Sequence, residues 1–165
     1  MNLQPVSSNK SCGAYSYRRA QRGVGLIEVL IAVLVLSIGI LGIAALQTRA
    51  LADNGSSMNR SAATAATYSI LEAMRLDRVN ALAGAYNTAA ALKTDNCPAA
   101  GATLATYQLN KWCSQQLASF LGNVSTTQGT INCTAAGVCT ITIQFDEGKA
   151  TGGSNQFQLT TTATI

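Results

Sequence analysis

The 23 residues from Val24 to Leu46 form an apolar run that contains a single ionisable side chain, Glu28. As a helix rising 1.5 Å per residue, the run would be about 34 Å long, enough to cross a hydrocarbon core of about 30 Å. A carboxylate at the centre of a bilayer costs on the order of 2.5–3.5 kcal/mol even on the mildest scale. Two readings relieve that cost. Glu28 sits close to a helix N-terminus, where the helix dipole favours an acid and the interface is within reach. Alternatively, the charge has a function that repays its cost.

The basic residues are placed to orient such a span. Lys10, Arg18, Arg19 and Arg22 all precede Gly23, with no acidic residue among them. From Val24 onward seven Lys or Arg residues face seven Asp or Glu, so the formal charge of +4 belongs to the leader. The rest of the chain has no electrostatic footprint for nucleic acid, and nucleic acid is not expected as a partner. The positive-inside rule puts the N-terminus in the cytoplasm and everything after the span on the exported side. A secretory signal has a shorter core followed by a small-residue cut site. This run is long, and QTRALADNGSS continues it without such a site, so the apolar segment is expected to be retained.

Cysteines sort the same way. Cys12 lies in the basic segment, and Cys97, Cys113, Cys133 and Cys139 lie far beyond the span. An even number in an exported region fits two disulfides, with buried free thiols as the alternative. With no histidine and no C-x-x-C, no metal site and no cofactor is expected.

After Leu46 an alanine-rich stretch without proline continues to Asn80. Met58, Ala62, Ala65, Ala66, Ile70 and Ala73 fall at roughly helical spacing and predict one narrow apolar face. The expectation is one nearly continuous helix from about Val24 to about Asn80, about 85 Å long if unbroken, then a loop, ALAGAYNT. Residues 81–104 carry little periodicity. From about Thr106 a second helix is expected, with Leu109, Trp112, Cys113, Leu117, Phe120 and Leu121 as its core stripe and Gly122 ending it.

The C-terminal part alternates with a period of two. Ile131 and Cys133 share a face, as do Cys139, Ile141, Ile143 and Phe145, and then Phe157, Leu159 and Ile165. TAAGV reads as a hairpin turn that sets Cys133 opposite Cys139 with matching parity. Of the three connectivities open to four cysteines, we expect Cys133–Cys139 and Cys97–Cys113. Asp146 and Glu147, in DEGKATGGSN, read as a solvated hairpin loop. The fold class is α+β: a long N-terminal helix whose outer half packs on a three-stranded antiparallel sheet, plus a short second helix.

Arg22-Gly23 followed by Val24-Gly25-Leu26-Ile27-Glu28 resembles the class III signal of type IV pilins and type II secretion pseudopilins. The resemblance implies that prepilin peptidase cuts between Gly23 and Val24, methylates the new amine of Val24, and leaves Glu28 as the fifth mature residue. It also implies that Glu28 of one subunit pairs with the terminal amine of its neighbour as helices stack. Valine stands where most relatives have phenylalanine. Gly39 and Gly42 interrupt the second half of the span; they ease helix contact, or, as in similar pilins, let the helix melt locally in a packed fibre.

The stretch VGLIEVLIAVLVLSIGILGIAALQTRAL is most similar to PilV-type minor pilins. That likeness implies an inner-membrane protein that joins other minor pilins, a major pilin and a tip adhesin in pilus assembly, supporting adhesion or twitching motility. The implied parts are a leader (1–23), a transmembrane half-helix (24–46), an exported half-helix (47–80) and a periplasmic α+β part (81–165). A minor pseudopilin of a type II secretion system is the alternative. A membrane-anchored periplasmic enzyme is a third reading, but Asp53, Glu72, Asp77, Asp95, Asp146 and Glu147 are scattered and form no poised pair. No catalytic residue is expected.

Overall fold

A computed structural model describes residues 23–150 and 152–165. The leader residues Met1 to Arg22, with Lys10, Arg18, Arg19, Arg22 and Cys12, lie outside the described residues. The chain divides into two units, Met1–Leu41 and Gly42–Ile165. Helix α1 (Leu26–Leu76) contributes to both and runs unbroken through Gly39 and Gly42. In the first unit every described residue is exposed.

The second unit has its own core. After α1 come a short helix α2 (Arg78–Leu82), a two-residue strand β1 (Leu92–Lys93) and a helix α3 (Leu104–Lys111). A π-helical turn over Trp112–Leu117 and a last helical turn α4 (Ala118–Leu121) lead into strands β2 (Gln128–Cys133), β3 (Val138–Phe145) and β4 (Phe157–Thr164). The sheet is antiparallel throughout, in the order β1-β2-β3-β4. The architecture is α+β, as expected, and consistent with a type IV pilin-like fold, with four strands rather than three. The extra strand, β1, is too short to leave a period-two signature in the sequence.

Three helical expectations need correction. Asp77 stops α1 at Leu76, short of Asn80. Its backbone leaves the helical region at φ −115° and ψ 46°, while its carboxylate accepts bonds from Asn80 Nδ2 (2.6 Å) and Tyr86 Oη (3.2 Å). An aspartate that finds local partners competes with the helix in this way. Burial, helped by the Asp77 charge, pushes the Tyr86 hydroxyl up to about 12.

The buried face of α1 is also rotated. It comprises Ala63, Ala66, Thr67, Ile70, Leu71 and Met74, whereas Met58 is 68% exposed and neither Ala62 nor Ala65 is buried. The spacing is helical, but the large residues Ile70, Leu71 and Met74 set its phase. Alanine on every side gives the stretch too little contrast to fix that phase from sequence.

The third correction concerns the second helix. It begins at Leu104, two residues early, capped by Thr103, whose Oγ1 accepts from Thr106 N–H (3.2 Å). The π-helical turn then inserts extra backbone, and a residue beyond it no longer falls where a 3.6 period puts it. Trp112, Cys113 and Leu117 are buried, whereas Phe120, placed in the core by its spacing, is 63% exposed. Gly122, at φ +107°, ends the helix as expected.

Trp112 ties the layers together. Its indole N–H donates to the Ala66 carbonyl of α1 (3.0 Å), and its ring covers Gly129 of β2. Cys97 bonds Cys113 and Cys133 bonds Cys139. The second bond joins directly opposed residues of β2 and β3, 4.0 Å apart at Cα. Gly137, at φ +85°, makes the turn between those strands possible.

Ile131, Ile141, Ile143 and Phe145 point into the core. The opposite face of β2, β3 and β4 is an uncharged grid, with exposed Lys93 of β1 beside Gln128. Gln128, Gln144 and Gln158 form one row, Thr130, Thr142 and Thr160 the next, and Asn132, Thr140 and Thr162 a third. Hydrogen bonds run across it from Thr140 to Thr162 (3.3 Å), from Thr142 to Thr160 (3.1 Å) and from Gln158 to Gln144 (2.9 Å).

Candidate processing and assembly site

Gly23, Val24 and Gly25 precede α1 in a non-helical stretch, and all three are exposed. No atom lies within 4 Å of where a Cβ on Gly23 would stand. The chain is therefore accessible at the junction where the sequence resemblance places the cut. The Gly25 carbonyl accepts the first helical bonds, from Glu28 N–H (3.0 Å) and Val29 N–H (3.3 Å). Glu28 thus falls in the first turn of α1, exposed, where the unsatisfied N–H groups of the helix end favour negative charge.

Val24, Leu26, Ile27 and the larger apolar residues that follow as far as Leu46 are 52–85% exposed, and none of them belongs to the hydrophobic core. The one other polar side chain of the run, Ser37, returns its hydroxyl to the Val33 carbonyl (2.7 Å), so it adds no unsatisfied group to the apolar surface. Glu28 is the one charged side chain of the run from Val24 to Leu46. By length and composition α1 can cross a membrane.

The structure places Gly23, Val24 and Glu28 within one short segment. Cys97, Cys113, Cys133 and Cys139 belong to the other unit, where they serve the fold. Among the described residues no cluster of three or more His, Cys, Asp or Glu side chains could hold a metal ion.

Sequence reasoning missed a second charged feature. Glu147, expected in a solvated loop, is only 3% exposed. Arg60 of α1 meets its carboxylate with two bonds, Nε to Oε1 (2.8 Å) and Nη2 to Oε2 (2.7 Å), and Ser56 Oγ adds a third (2.8 Å). The guanidinium also lies 4.3 Å above the Phe157 ring. These bonds, the Arg60 bond first, hold the Glu147 carboxyl below the usual carboxylate range, and Glu147 raises Arg60 in return. The clasp fastens the β3–β4 loop to α1. Its sequence separation of 87 residues leaves no local signal.

Residues 18–44 match the family model described as the prokaryotic N-terminal methylation motif. No curated protein and no solved structure matches the chain. The matched stretch contains Gly23, Val24 and Glu28 and runs through most of the exposed apolar segment. Motif and helix together support a single-pass membrane anchor, and the motif points to a structural rather than an enzymatic role. The chain therefore carries a prepilin-type methylation motif on an α+β fold, which supports a place with the type IV pilins and pseudopilins.

Proposed function

We propose that the chain is a minor pilin of a type IV pilus, of the PilV type. Prepilin peptidase cuts between Gly23 and Val24 and methylates the Val24 amine. Residues 24–46 anchor the protein in the inner membrane, with the leader 1–23 cytoplasmic. Beyond the anchor the helix continues outward to Leu76, and residues 81–165 form the periplasmic part. The observation that carries this reading is the methylation motif over residues 18–44, with a lone carboxylate five residues beyond Gly23.

Cleavage there creates an ammonium group at Val24, four residues before Glu28 and just ahead of α1. Stacked subunits offer each carboxylate a neighbour's ammonium. Burying either charge alone in an apolar bundle is costly, and joining them removes much of that cost only in one axial register. Assembly with other minor pilins, the major pilin and a tip adhesin would use that register. The same chemistry serves a minor pseudopilin of a type II secretion system.

Co-purification from cells separates the two. Recovery of the protein with pilus subunits, and its loss from surface fibres when Glu28 is changed to Ala, supports the pilus reading. Recovery only with secretion-system pseudopilins overturns it.

A further inference from the structure

The two edges of the sheet are treated differently. On the β2 side every outward backbone group is taken. Gly129 pairs with Leu92 of β1. Ile131 accepts from Thr88 N–H (2.9 Å) and donates to Thr88 Oγ1 (3.0 Å). Cys133 donates to Asn87 Oδ1 (2.7 Å) and accepts from Asn87 Nδ2 (3.1 Å). A loop thus closes this edge bond by bond.

The β4 edge has nothing comparable among the described residues. Ile165 N–H bonds the Gly137 carbonyl (3.0 Å), which fixes the phase of the β3–β4 ladder. The odd-numbered residues of β4 bond β3. Gln158, Thr160, Thr162 and Thr164 therefore aim their N–H and C=O groups outward. Natural edge strands are blunted by charge, proline or a bulge. FQLTTTAT has no charge and no proline, and its register with β3 is continuous over eight residues.

We propose that β4 is an acceptor edge for an extended, uncharged segment of another protein, added antiparallel as a fifth strand. A row of alternating donors and acceptors at strand spacing is matched by an extended backbone, which fixes the class of occupant. The side chains narrow it further. On the outer face the newcomer continues rows made of Thr and Gln, where hydroxyl or amide residues pair and an isolated charge finds no counter-ion. On the inner face Leu159 and Ala163 are only half-buried against the core, and apolar residues beside them would complete their burial. Arg60, above the Phe157 ring, is already committed to Glu147, and Arg78, at the other end of the strand, donates to the Ile165 carbonyl (3.1 Å). Recognition thus rests on backbone and alternation, independently of the pilin reading.

The test uses the full chain in detergent micelles and the peptide acetyl-Thr-Val-Thr-Val-Thr-Val-Thr-amide, N-methylated on its valines. In an antiparallel addition its threonines face the Thr rows and present their N–H groups to β4, while the methylated edge faces solvent and prevents stacking. At about ten times Kd, amide exchange at Gln158, Thr160, Thr162 and Thr164 should slow about tenfold. The isomer N-methylated on its threonines should give no protection. Thr162→Pro removes an outward N–H that β3 does not use and should abolish binding, and Thr160→Lys should weaken it. Absence of protection, equal protection by both isomers, or binding unchanged in both variants overturns the proposal. Protection of the same amides without peptide, in a species of dimeric mass, overturns it in favour of a second copy.

Discussion

The ring of Trp112 lies on Gly129: a Cβ placed on that glycine would stand 2.4 Å from one ring carbon and 2.7 Å from another, with Leu117 at 2.9 Å. These are closer than any real contact, and the crowding atoms belong to a buried indole that is itself fixed by its bond to Ala66. Gly129→Ala should therefore destabilise the domain by about 1–3 kcal/mol, the usual cost of overpacking. Denaturant unfolding followed by the fluorescence of this tryptophan, the only one in the chain, measures it directly. A midpoint equal to that of the parent protein would show that the layers are not held this closely.

Glu147 makes stability depend on acid. Its carboxyl titrates lower in the folded protein than in the unfolded chain, so the unfolded chain takes up the proton first. The contribution is fully present above the unfolded value of about 4.3 and is lost as pH falls through the lower folded value. Glu147→Gln should lower the unfolding midpoint at neutral pH and flatten its decline in acid. An acid limb of unchanged slope in the variant would remove the clasp from the account.

The two disulfides should contribute unequally. Cys97 and Cys113 are 16 residues apart, Cys133 and Cys139 only 6. Loop-closure entropy gives about 3 kcal/mol for the first and about 2 kcal/mol for the second. Replacing each pair by serine and comparing unfolding free energies tests the order. Equal losses, or a larger loss for the hairpin pair, would contradict it.

How far the sequence reveals this molecule depends on how local each cause is. Strands β2, β3 and β4 were legible because Ile131, Ile141, Ile143 and Phe145 alternate with Thr and Gln, and a one-residue slip would exchange the two faces. The π-helical turn was not legible. Trp112 and Leu117 keep their buried positions, but the added backbone moves Phe120 to the surface, and no residue type announces such a turn. The break at Asp77 has a visible cause only once Tyr86 and Asn80 are seen around its carboxylate. At the candidate site the contrast is sharper. Gly23, Val24 and Glu28 are neighbours in sequence, so their proximity needed no fold. Arg60 and Glu147 meet only because the sheet brings the end of β3 back to α1.

Glu28→Ala should leave cleavage at Gly23 intact and reduce incorporation into the assembled complex, because the change removes the charge proposed to set the register and leaves the proposed cut site unaltered. Mature-sized protein that no longer co-purifies with other pilins is the expected result. Wild-type levels of co-purification would mean that Glu28 serves only the end of its own helix. Gly23→Ala, in contrast, should leave a longer precursor in the membrane, visible by gel mobility.

The most direct measurement is the N-terminal residue of the native protein isolated from cells, read by intact mass and sequencing. The account predicts a chain that begins at Val24, with a methyl group on its amine. A chain that still begins at Met1, or one cut beyond the apolar run, would contradict it.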